Sequence, residues 1–113
     1  QVRWLNDNGG LAWASARCAR SASLLYQWAE KSDYASPFVN DRNARSNAVV
    51  TIDINDGINA SQVVAALREN GIVDTNGYCK LGRNQLRIGV FPSVEPSDVD
   101  ALTRCIDYVV EHL

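Results

Sequence analysis

One stretch of the chain, Lys80–Phe91 (KLGRNQLRIGVF), gathers residue types suited to binding an anion. Lys80, Arg83 and Arg87 follow Tyr78 and Cys79 closely, with Gly82 among them and Gly89 two residues beyond Arg87. Tyr78–Asn84 reads as a polar loop and Gln85–Phe91 as a strand. Successive strand side chains point to opposite faces. Leu86, Ile88 and Val90 therefore share one face, and Arg87, Gly89 and Phe91 the other. The apolar set is the natural core face, so Arg87 looks away from the core, with Gly89 expected to leave open space beside it. A planar guanidinium on a rigid strand can grip a carboxylate or a phosphate through parallel hydrogen bonds. The same spacing also suits an arginine on a solvated sheet face.

Other chemistry is hard to find. Asn8-Gly9-Gly10 and Gly82-Arg83-Asn84 match no phosphate-loop or dinucleotide fingerprint. HExxH, GxSxG and Cys/His clusters are missing. The acidic pairs Asp53/Asp56 and Asp98/Asp100 read as turn and helix-start residues, the latter favoured by the helix dipole. His112, the sole histidine, falls at the C-terminal end. Cys18, Cys79 and Cys105 are odd in number, widely spaced and unlike a zinc set, which suits reduced thiols in a cytosol.

With 113 residues, 46% of them hydrophobic, the chain is one domain's worth of sequence with enough apolar surface for a core. A formal net charge of −2 disfavours a nucleic-acid footprint. No apolar run approaches the roughly 20 residues of a membrane span. The chain opens Gln1-Val2-Arg3 without methionine, which reads as a piece of something longer.

The elements that must hold the loop and strand follow from periodicity. Gln1–Leu5 reads as the tail of a helix, and Asn6–Gly10 as a break. Leu11, Ala14, Cys18, Ala22, Leu25 and Ala29 then recur at helical spacing, with Arg17, Arg20, Gln27, Glu30 and Lys31 mostly on the other side. That helix should end near Lys31–Ser32, ahead of a polar loop and the breaker Ser36-Pro37. Ala48, Val50, Ile52 and Ile54 alternate as a β-branched strand. Asn59 is expected to cap the next helix, with Gln62 as its capping partner, Val63, Val64 and Leu67 inside, and Gly71 at the left-handed exit. Ile72-Val73 is a short extended segment before the turn Asp74–Gly77. Pro96 opens the last helix, whose stripe is Val99, Leu102, Ile106, Val109 and Leu113. The expected fold is α+β, a small sheet with helices packed on one face.

The block GIVDTNGYCKLGRNQLRIGVFPSVEPSDVDALTRCIDYVVEHL, with NGGLAWA, LLYQWAE, PFVNDRNARSNAVVTIDI and ALRENGIVDT upstream, resembles the C-terminal end of phosphoserine aminotransferases of the actinobacterial type. The resemblance spans nearly the whole chain. It implies the small C-terminal domain, residues 1–113, of a pyridoxal-phosphate enzyme of the class V aminotransferase group. Such an enzyme passes the amino group of glutamate to 3-phosphohydroxypyruvate in serine biosynthesis, in the cytoplasm and as a homodimer; some members also serve pyridoxine synthesis. It further implies that the cofactor lysine sits on a large domain outside this chain, since neither Lys31 nor Lys80 matches its motif. On that reading this chain alone binds no cofactor and carries no catalytic residue. Arg87 matches the family arginine that binds the substrate carboxylate. Where the family usually has His-Arg or Tyr-Arg, this chain has Tyr78-Cys79, so phosphate contact is expected to fall to Lys80 or Arg83. A stand-alone α+β ligand-binding or regulatory module is the competing reading.

Overall fold

Two neighbouring strands carry the alternation that organises the molecule. In the computed structural model, which describes residues 1–113, β2 (Val49–Ile54) pairs antiparallel with β3 (Gln85–Gly89). Their register sets Val50 opposite Ile88 and Ile52 opposite Leu86. These four and Val90 are buried, and one β-branched or leucine side chain after another fills the same face. A short edge strand, β1 (Ala35–Pro37), completes a sheet of order β1-β2-β3.

The helices are α1 (Val2–Asp7), α2 (Gly10–Lys31), α3 (Ala60–Glu69) and α4 (Pro96–Glu111). Ala22, Leu25 and Ala29 of α2, Val63 and Leu67 of α3, and Val99 and Ile106 of α4 join the apolar sheet face in one core. The α+β class and the one-sided packing are as expected. Asp107 ties α4 to the rest, accepting from Trp28 Nε1 at 3.1 Å and from the Tyr34 hydroxyl. Burial and that carboxylate together push the Tyr34 hydroxyl well above its usual pKa.

α3 ends as its sequence suggests. Gly71, at φ +85°, lets Ile72 N–H reach Leu67 O at 2.9 Å and Gly71 N–H reach Arg68 O at 3.1 Å. Its start is only half as expected. The Asn59 side chain accepts from Ser61 N–H at 2.9 Å, but exposed Gln62 makes no return bond.

Other expectations need correction. Ser36-Pro37 is not a plain break, because an edge strand tolerates a proline whose missing N–H would face away from the ladder. β3 ends at Gly89, although Val90 stays buried and donates to Ala48 O at 2.8 Å. Leu11 is 86% exposed, because α2 joins the core only through its later turns, at Ala22, Leu25 and Ala29. Arg17 belongs inside that helix's packing: it donates to Pro92 O at 2.7 Å, pairs with Glu95 at 2.8 Å and lies over Trp13. An arginine stem covers apolar surface while its head finds charge.

Asn84 joins the end of the loop to the turn before α3. Its carbonyl accepts from Ala60 N–H at 2.9 Å, and its amide donates to Ile54, Asn55 and Ile58 carbonyls at 3.0, 3.1 and 2.7 Å. Removing it strands several partly buried backbone groups at once. Asn84→Ala is expected to cost about 2–3 kcal/mol in urea unfolding. A loss under about 0.5 kcal/mol would show that water replaces those bonds freely.

Candidate functional site

The face of the sheet turned away from the helices is polar. Cross-strand pairing sets Thr51 opposite Arg87 and Asp53 opposite Gln85, with Val49 opposite Gly89. Because their alternate neighbours are locked in the core, the directions of Asp53 and Arg87 are fixed by the pleat.

Arg87 is exposed, forms no ion pair and lies over the Tyr78 ring with 5.6 Å to the centroid. Its backbone N–H is held by Thr75 O at 3.0 Å, where residues 72–76 run beside β3 up to the Asn76–Leu86 bridge. The guanidinium is thus well supported and electrically free. Tyr78 is 49% exposed and serves as its platform.

Arg83 is differently placed. Its Nη2 donates to Asp53 Oδ2 at 2.8 Å and its Nε to Asp53 Oδ1 at 3.3 Å, while Phe38 stacks 4.9 Å from the guanidinium. Gln85, itself only 3% exposed, donates to the same Asp53 Oδ1 at 2.8 Å. Burial raises the Asp53 pKa, but the bonds from Arg83 and Gln85 and the Arg83 charge outweigh it, leaving the carboxyl below its ordinary 3.8. Asp53 is therefore a strand residue facing the site, not the turn residue its pairing with Asp56 suggested. Strand alternation alone would have set it on the face of Arg87.

Lys80 lies in the 3-10 turn Cys79–Leu81, exposed and without an acidic partner. Gly82 follows in the left-handed region (φ +66°, ψ +24°), a conformation that few other residues take without strain, and it turns the chain toward Arg83. The space expected beside Gly89 is partly filled. A Cβ built there would stand 3.0 Å from the Phe91 ring. Beyond that ring, an open cavity of about 770 Å³ runs between residues 71–75, β3 and α4, lined among others by Arg87, Phe91, Leu102 and Cys105. Arg87, Tyr78, Lys80 and Arg83 thus occupy one loop and strand. No group of acidic, histidine and cysteine side chains is arranged to hold a metal, and no helix is long and apolar enough to cross a membrane.

No family model matches the chain. Phosphoserine aminotransferases of Rhodococcus opacus (strain B4) and Rhodococcus jostii (strain RHA1) are each 58% identical to it over all 113 residues, which amount to 30% of either relative. The chain corresponds to their C-terminal portion. Among solved structures, phosphoserine aminotransferase from Bacillus circulans subsp. alkalophilus shares the fold with a TM-score of 0.86 at 22% identity, over 97% of this chain and 30% of that one. The cysteine desulfurase CsdA of Escherichia coli aligns with a TM-score of 0.74 at 27% identity, over 98% of this chain and 28% of its own. The family resemblance read from the GIVDT…FP block therefore holds along the whole chain, and the fold is that of the corresponding aminotransferase domain. The CsdA likeness shows that this fold also serves other chemistry, so side chains must decide the substrate.

The depressed Asp53 pKa sets a pH signature. A group whose folded pKa lies below its unfolded value stabilises the fold above the unfolded value and loses that contribution as pH falls through the folded one. The stability gap between wild type and Asp53→Asn is expected to be full near pH 6 and to shrink from about pH 5 toward pH 2. Chemical denaturation at several pH values checks this; a gap that stays constant would mean the charge on Asp53 is not what the network holds.

Proposed function

We propose that this chain is the substrate-binding C-terminal domain of a phosphoserine aminotransferase, one domain of a longer protein. The reaction would move the amino group of glutamate to 3-phosphohydroxypyruvate, giving phosphoserine and 2-oxoglutarate for serine biosynthesis. The observation that carries this reading is the 58% identity along the entire chain to enzymes of that name. The unpaired Arg87 on a rigid strand supports it chemically.

The residues of this chain do not fit a pyridoxal-phosphate site. Its lysines, Lys31 at the end of α2 and Lys80 in the loop, are both exposed. The cofactor, which supplies the electron sink of transamination, belongs on this proposal to the large domain, and the full-length protein is a cytoplasmic homodimer. What this chain contributes is binding and orientation. Arg87 grips the carboxylate that glutamate and the keto acid both carry, two parallel N–H bonds fixing the plane of the substrate's end. Tyr78 backs the guanidinium, its ring centroid 5.6 Å away. Lys80 and the guanidinium edge of Arg83 left over from Asp53 face the phosphate, in place of the arginine that Cys79 replaces.

Losing the planar fork inside a closed site should cost about 2–4 kcal/mol, roughly 30- to 1,000-fold in kcat/KM. Arg87→Lys in the full-length protein is therefore expected to impair both half-reactions to that extent with an unchanged melting temperature. Wild-type kcat/KM, or an unfolded variant, would return Arg87 to a structural role. The 113-residue chain alone, mixed with pyridoxal phosphate, glutamate and 3-phosphohydroxypyruvate, is expected to form no phosphoserine above the free-cofactor background. Turnover above that background would refute the assignment of the cofactor lysine to another domain.

A further inference from the structure

The arginines of the polar face are held in opposite electrical states. Arg87 meets only a ring. Arg83 meets a carboxylate through two of its nitrogens, and that carboxylate is itself pinned by the buried amide of Gln85. The Arg83 guanidinium also lies over the Phe38 ring, 4.9 Å from its centroid. We infer that Asp53 is a specificity-determining residue: it neutralises Arg83, so that the face receives a carboxylate strongly at Arg87 and a phosphate dianion only moderately at Arg83 and Lys80. This rests on the substrate class proposed above and deepens it.

The sign follows from comparing two effects of Asp53. Its hydrogen bonds orient Arg83, which would help an incoming anion. Its negative charge lies against the same guanidinium and repels that anion. Orientation of a half-exposed side chain saves only part of its rotamer entropy, whereas a carboxylate within a few ångströms of a dianion repels both of its charges. Repulsion wins. A monoanionic carboxylate at Arg87 feels it less, being singly charged and two residue pairs along the strand. Asp53 thus separates the two ends of a phosphorylated keto acid: the carboxylate is held tightly and the phosphate loosely enough to leave.

Sequestration and orientation give opposite results. In the full-length protein, titration calorimetry with inorganic phosphate at low salt is expected to show Asp53→Asn binding about fivefold tighter than wild type. Asparagine can still accept from Gln85, so the fold is preserved, and a thermal melt checks this. Arg83→Gln is expected to bind more weakly than wild type, because it leaves Asp53 bare. The charge-neutral double variant Asp53→Asn/Arg83→Gln should bind more tightly than Arg83→Gln and more weakly than Asp53→Asn. Phosphate binding that is unchanged or weaker in Asp53→Asn, or undetectable in every variant, overturns the inference. In the full-length protein the same variant should lower KM for 3-phosphohydroxypyruvate relative to that for glutamate. If wild-type protein forms no phosphoserine, the transaminase reading fails, and the phosphate titration still judges Asp53.

Discussion

The register of β2 against β3 is the constraint on which the rest depends. With Ile52 opposite Leu86 and Val50 opposite Ile88, the apolar residues close one core with the helices. Everything one residue out of phase is then forced onto the opposite face, including Asp53, Gln85 and Arg87. A slip of one position would bury a guanidinium and a carboxylate while exposing a run of isoleucine, leucine and valine, so the core itself enforces the register. The direction of Arg87 is a by-product of hydrophobic packing on the far side of the sheet.

The loop between residues 76 and 85 is held at both ends rather than along its length. At one end, Thr75 and Asn76 run beside β3. At the other, Asn84 fills the turn before α3, and Asp53 clamps Arg83. Between these points Lys80 and Cys79 are exposed and make no side-chain bonds. The segment proposed to meet the phosphate is therefore the least restrained, while the proposed carboxylate receiver, Arg87, sits on the strand.

Most of this architecture was legible in the sequence because it rests on local periodicity. The alternation through Val49–Ile54 and Gln85–Phe91, the helical stripes of α2 and α4, and the exit at Gly71 each announce themselves within a few residues. The misses depend on partners far along the chain. Ser36-Pro37 becomes a strand only because β2 offers an edge. Arg17 turns inward because the Pro92 carbonyl and Glu95 arrive from the β3–α4 connection. The site divides the same way. Arg87 follows from strand alternation, whereas the engagement of Arg83 by Asp53 joins residues thirty positions apart. No spacing rule reports that contact.

The chain is similar over its whole length to aminotransferases of which it spans 30%. The central claim, that Arg87 is the carboxylate receiver of such an enzyme, is tested most directly by a crystal structure of the full-length protein with bound 2-oxoglutarate. The expected result is a carboxylate held by two nitrogens of Arg87, with Tyr78 still behind the guanidinium. A dicarboxylate bound elsewhere, with Arg87 resting unliganded on the Tyr78 ring, would contradict it.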